Sequence, residues 1–192
     1  MPASNRETAG MHPHATKPVT GATVPASNHQ QASAATILGF VQLPKRIRLP
    51  HDAYTSPEHV FHLVLHAFPD TQPFQDQALG DAIWALVLAE RNLPTVHLIA
   101  ACLMPDHLHL LASPRERDII GWMRGFKSYS TRISWEFTRR KVLWQPSYFD
   151  RRIRDEAELE AVLGYIVRNP ENAGLVDATG SWRWLWGLVA ED

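Results

Sequence analysis

The stretch TVHLIAACLMPDHLHLLAS, residues 95–113, decides how this chain folds. Its first half is a continuous apolar run, as expected of a strand buried on both faces. Pro105 and Asp106 break the run with turn chemistry, and HLHLLAS then resumes as a second strand. Two strands joined by so short a turn form an antiparallel hairpin. The expectation is a central pair of strands at 95–104 and 107–113.

Working outward, HVFHLVLHAF at 59–68 alternates between Pro57 and Pro69 and reads as a further strand. DAIWALVLAERN at 81–92 carries helical spacing at Ile83, Trp84, Leu86, Val87 and Leu88. Residues 115–139 read as a long helix whose stripe is Ile119, Met123, Phe126, Ser130, Ile133 and Phe137. VLWQPSYFDRRI at 142–153 reads as an extended segment. Asp155 then opens a late helix as N-cap, with Glu158 closing a capping box. That helix is expected to stop near Asn169, because Pro170 disfavours helical backbone at the residue before it. The resulting order, strand–helix–strand–strand–helix–strand, predicts an α+β fold: a ferredoxin-like antiparallel sheet with helices on one face.

Composition narrows the class. The 192 residues are 45% hydrophobic, enough for one domain with a real core. Residues 1–45 are poor in large apolar side chains and are expected to be a disordered tail, leaving 46–192 as the folded domain. Cys102 is the only cysteine, which excludes an internal disulfide and a cysteine zinc site. No apolar stretch is long enough for a membrane span, and no secretory signal pattern opens the chain, so a cytoplasmic protein is expected. The net charge of −1 conceals an asymmetry. Between Arg115 and Arg154 stand eleven Lys or Arg against four Asp or Glu, a surplus suited to a phosphate backbone or to a solvated helix face.

The chemistry gathers at the histidines. Alternate strand residues share a face, so His107 and His109 project together and make half of a metal site. The same pattern also describes two ordinary histidines hydrogen-bonded at a sheet surface, and His62 and His66 are read that way. On the late helix, Leu159, Val162, Leu163 and Ile166 form the core stripe. Tyr165 falls at the edge of that stripe, with Asn169 one turn beyond it. A phenol and an amide thus share one side of the helix, although Tyr165 could simply be a boundary residue and Asn169 a helix terminator. Tyr129, among basic neighbours, is a second tyrosine of interest, but its place near the apolar stripe suggests packing.

Three segments, MPDHLHLL, LWQPSYFDRRIRDEAELEAVLGYIVRNPENAGLV and the closing WRWLWG, resemble the REP-associated tyrosine transposases, of the single-tyrosine HUH transposases of bacterial insertion sequences. The resemblance runs from about LPHDAYTSPEHVFHLVLHAF to the end of the chain. It implies the HUH endonuclease fold and a metal-dependent single-stranded DNA endonuclease and strand transferase that acts at hairpins. His107 and His109 match the paired histidines, Tyr165 the nucleophile that forms a 5′-phosphotyrosine, and Asn169 the third metal ligand. The implied cofactor is Mg²⁺ or Mn²⁺, and the implied partner is single-stranded or hairpin DNA bound by a monomer or homodimer. Arg124, Lys127, Arg132, Trp144, Gln145, Arg151, Arg152, Arg154 and Arg168 are the candidate DNA contacts, with Tyr148 as a further stacking candidate. Two departures stand out: Asp106 where asparagine is common, and WRWLWG where a Trp-Ser-Ser ending is common. Two other readings are a domesticated, non-catalytic hairpin-binding protein and an unrelated metal hydrolase whose histidines activate water.

Overall fold

Asp76 starts the first helix earlier than apolar spacing suggests. In the computed structural model, which describes residues 49–176 and 180–187, its carboxylate accepts from Ala78 N at 3.0 Å and Leu79 N at 3.2 Å. These bonds satisfy amides that have no partner within the helix. Helix α1 therefore spans Gln77–Arg91 and buries Leu79, Ile83, Trp84 and Val87. The expected tail over residues 1–45 lies outside the described residues.

The remaining elements follow the expected order. Strand β1 is Phe61–His66, β2 is Val96–Leu103 and β3 is His107–Pro114. Helix α2 is Ile119–Ser134, shorter at both ends than the expected 115–139. At its start Asp118 accepts from Gly121 N at 2.7 Å, while Arg117 N is held by Thr95 O at 3.0 Å outside the helix. Phe137 thus falls beyond the buried stripe and is exposed.

In the expected extended segment 142–153, only Phe149–Arg152 forms a strand, β4. Pro146 can donate no ladder bond, and upstream of it a single bridge joins Ala67 to Trp144. Helix α3, Glu156–Asn172, begins at the Asp155 cap, whose carboxylate accepts from Glu158 N at 2.8 Å. Contrary to expectation, α3 runs through Pro170 instead of stopping at Asn169. The Pro170 ring is buried, and Ala173 N to Asn169 O and Leu175 N to Pro170 O, at 3.0 and 2.8 Å, close the last turn. Burial and these bonds offset the one helical bond that proline cannot make.

Among the described residues five strands form one antiparallel sheet in the order β4-β1-β3-β2-β5, and the first four are the ferredoxin-like set. Strand β5, Leu185–Gly187, comes from WRWLWG and extends the sheet beside β2. Helices α1 and α2 pack on one face against Leu63, Leu65, Leu108 and Leu110. Helix α3 covers part of the other face, where Ile166 meets Ala100, Cys102 and Leu111. A bulge between Leu98 and Ala100 shifts the β2 alternation by one residue. Leu98 and Ala101 consequently face α1 and α2, while Ala100 and Cys102 face α3. From Ala100 to Leu103 both faces of β2 are buried, which explains the apolar run there.

Candidate active site

The α3 face of the sheet gathers histidines from two neighbouring strands. In the β1–β3 register His66 lies opposite His107, and Val64 opposite His109. His62 is the diagonal neighbour of His109, within reach of a ring. Its Nε2 lies 3.1 Å from His109 Nδ1, with the two rings stacked at 5.3 Å. His107 Nε2 lies 3.0 Å from His109 Nε2, and His107 Nδ1 lies 2.6 Å from the Asp106 carboxylate.

Helix α3 brings the next two residues. The Asn169 amide is 3.2 Å from His109 Nε2. Its nitrogen and oxygen are interchangeable by a flip, so either can face the imidazole. One turn earlier, the Tyr165 ring stands edge-on to His109 at 5.5 Å and to His62 at 6.2 Å, and is 48% exposed. His107, His109, Tyr165 and Asn169 are therefore brought together by α3 lying over the sheet.

The local electrostatics keep the central imidazoles neutral. Burial, followed by the neighbouring His107, His62 and His66, pushes the His109 pKa down to about 2. Burial and the cationic Arg151 lower that of His62 to about 4. Neutral imidazole has one N–H and one lone pair. In the tautomer where His107 Nδ1–H donates to Asp106 and His109 Nδ1–H donates to His62 Nε2, the two Nε2 lone pairs would face each other. An Asn169 oxygen turned inward adds a third acceptor at the same point.

In that tautomer the two Nε2 atoms are spaced to share a cation. Neighbouring ligands on an octahedral ion with bonds of about 2.1 Å sit about 3.0 Å apart, matching the His107–His109 separation. Among the described residues no three His, Cys, Asp or Glu side chains group as a metal site. The Asn169 amide is the third donor beside them, and this donor set fits a divalent ion with further coordination positions left open.

The expected DNA contacts divide. Trp144 is corrected from a stacking candidate to a core residue: it is 3% exposed, packs on Phe74, and donates through Nε1 to Ser130 Oγ at 2.8 Å. Tyr148 is buried as well. Lys127 clamps its neighbouring loop, donating to Gln145 O at 2.6 Å and Pro146 O at 2.9 Å, and burial lowers its pKa. Gln145 is half-buried, with its main-chain N bonded to His66 O at 2.9 Å. Arg124 is exposed at a concavity shared with Lys127 and Pro146. Arg132 lies over the Tyr129 ring at 5.4 Å. Tyr129 itself is half-exposed instead of packed, and it belongs to α2, across the sheet from the histidines.

Arg151 and Arg152 project to opposite faces, as neighbours in a strand must. Arg151 sits opposite His62 in register and pairs with Glu158. Arg152 contacts His59 Nε2 at 3.3 Å. Arg154 approaches Glu158 at 3.9 Å, and Arg168 is exposed with its guanidinium over Gly164. Two histidines that the sequence reading left as ordinary belong here. His62 supports His109, and the His66 ring lies 5.5 Å from that of His107. Their even spacing, four residues apart, puts both on one face of β1, but which strand lies beside them is not visible in the sequence.

The α+β fold recurs in a solved structure. The fold matches a REP-associated tyrosine transposase bound to a REP hairpin, with a TM-score of 0.55 and 23% identity, covering 73% of this chain and 81% of that one. The model of the family described as "Transposase IS200 like" matches residues 55–169. The chain belongs to that family. A relative from Haemophilus influenzae, named "Putative REP-associated tyrosine transposase", is 29% identical over 104 residues. That match takes in 44% of this chain and 54% of the relative, so the chain spans about half the length of the curated relative it matches. No helix among the described residues is long and apolar enough to cross a membrane.

Proposed function

We propose that this protein cuts and rejoins single-stranded DNA at hairpins, with Tyr165 as nucleophile and a divalent ion, Mg²⁺ or Mn²⁺, held by His107, His109 and Asn169. The observation that carries the reading is the convergence of both Nε2 atoms and the Asn169 amide beside the Tyr165 ring. Family membership supports DNA as the substrate, and the REP hairpin bound by the structural relative supports a hairpin.

In this reading the Tyr165 oxygen attacks the scissile phosphorus and gives up its proton. The phosphorus–O3′ bond breaks, leaving a 5′-phosphotyrosine and a free 3′-hydroxyl. A 3′-hydroxyl then attacks the phosphotyrosine, and Tyr165 leaves with its proton restored. The phosphodiester energy is kept in the covalent link, so no nucleotide triphosphate is consumed. A divalent ion held by His107, His109 and Asn169 would polarise the phosphate and offset charge in the transition state. Asp106 and His62 hold the two imidazoles in the tautomer that ligates. Asp106, the carboxylate bonded to His107, is occupied in that task, which disfavours a hydrolase that needs a free carboxylate base.

The test is a labelled hairpin DNA incubated with Mn²⁺ and resolved under denaturing conditions. Wild type and Tyr129→Phe should form a covalent adduct, and Tyr165→Phe should form none while binding the hairpin normally. Hairpin binding by wild type without any adduct would instead favour a domesticated, non-catalytic binding protein.

A further inference from the structure

Eight large apolar side chains stand exposed among the described residues, and they are unevenly spread. Phe68, Tyr129, Trp135, Phe137 and Val142 all lie on the C-terminal half of α2, the loop after it, or just past β1. Arg139, Arg140 and Lys141 interrupt them and are exposed. No carboxylate among the described residues pairs with these three cations. Arg151, Arg154 and Arg183 do have carboxylate partners.

The loop is shaped as well as charged. A cavity of about 510 Å³ is lined by Trp135, Thr138, Arg139, Arg140 and Lys141, a volume within the range of small-ligand sites. A smaller one of about 190 Å³ adjoins it, sharing Arg140 and Lys141 and adding Phe68 and Val142. Trp135 Nε1 donates to Lys141 O at 3.2 Å, which holds the indole while leaving it 54% exposed. The Arg140 guanidinium lies 5.8 Å from the centre of the Phe68 ring.

Three adjacent cations without carboxylates call for a polyanion, and exposed aromatic faces call for something flat to stack on them. Unpaired nucleotides supply both, whereas a duplex offers phosphates but no free base faces. At Phe68 the patch reaches the end of β1, the strand that carries His62 and His66. Phe68 lies two residues beyond His66, about 7 Å along an extended chain, and Phe68 N and Gln145 N bond the chain on either side of Trp144 to β1 and its continuation.

We propose that this loop holds the unpaired segment of DNA that flanks the cleavage site, with bases on Trp135 and Phe68 and phosphates on Arg139, Arg140 and Lys141. The proposal rests on the strand-transfer reading above and names where its substrate's single strand lies.

The test measures binding of the full chain to a labelled oligothymidylate without divalent metal, so that neither hairpin nor chemistry contributes. Trp135→Ala should weaken binding about tenfold with little change in salt dependence, and Trp135→Phe should restore most of it. Arg139→Ala with Arg140→Ala should lower the salt slope by about 1.4, roughly 0.7 for each lost phosphate contact. Equal losses on a blunt duplex, no loss with any variant, or a preference for anionic vesicles over the oligonucleotide would each overturn the proposal. The adduct assay judges the other reading separately. Trp135-dependent binding with no wild-type adduct would sink strand transfer and leave this site standing. A wild-type adduct with Trp135-independent binding would do the reverse.

Discussion

His62 Nε2 lies 3.1 Å from His109 Nδ1, so one buried histidine sets the ring orientation of another. The pair joins β1 to β3 on the face that Tyr165 and Asn169 overhang. His62→Ala should weaken Mn²⁺ binding by about 10–100-fold, the usual effect of losing a partner behind a ligating imidazole. His62→Gln offers His109 Nδ1 a carbonyl acceptor and should recover part of that loss. Calorimetric titration with Mn²⁺ checks both; unchanged affinity in His62→Ala would remove the supporting role.

In the proposed metal site Asn169 supplies a donor from a different element, so its loss should be felt by metal before fold. Asn169→Ala should reduce Mn²⁺ affinity by about tenfold or more, while Asn169→Asp, which keeps an oxygen and adds charge, should bind at least as well as wild type. The backbone carbonyl that closes the helix is retained in either variant. Circular dichroism alongside the titration separates the two effects. A fold lost together with the metal would mean that the side chain is mainly structural.

Trp144 was expected to stack on DNA, and its burial predicts something else. Trp144→Ala removes a core indole and leaves Ser130 Oγ without its donor. The cost should be about 3–5 kcal/mol of stability. The salt slope of DNA binding should be unchanged in protein that remains folded. Denaturant unfolding and salt titration report these independently.

Gly80 lies under the Trp184 ring, where an added Cβ would overlap the indole. An exposed helical Gly→Ala change normally gains up to about 1 kcal/mol. Here overpacking should cost about 1–3 kcal/mol and reverse the sign. Trp184 Nε1 also donates to Asp81 at 2.8 Å, so the indole is not free to move aside. Thermal unfolding of Gly80→Ala decides it: a raised Tm would mean that β5 and its flank yield easily.

Local chemistry in the sequence determined much of this protein. The Pro105–Asp106 turn between two apolar runs specified the β2–β3 hairpin, and helical spacing located α1, α2 and α3. The two-residue spacing of His107 and His109, and the one-turn spacing of Tyr165 and Asn169, placed each pair on a single side of its element. Tertiary structure decided what those sides met. Strand register made His62 a partner of His109, and no periodicity within one strand can specify its neighbour. Packing of α3 over the opposite sheet face brought Asn169 to the imidazoles, and burial of Pro170 carried the helix past its expected end. Trp144 went into the core, while Trp135 remained in solvent on a cationic loop. Both are tryptophans in a basic, aromatic-rich region, and side-chain chemistry alone does not distinguish them. Their environments differ because Ser130 and Phe74, distant in sequence from one another, close around Trp144 only when the chain folds.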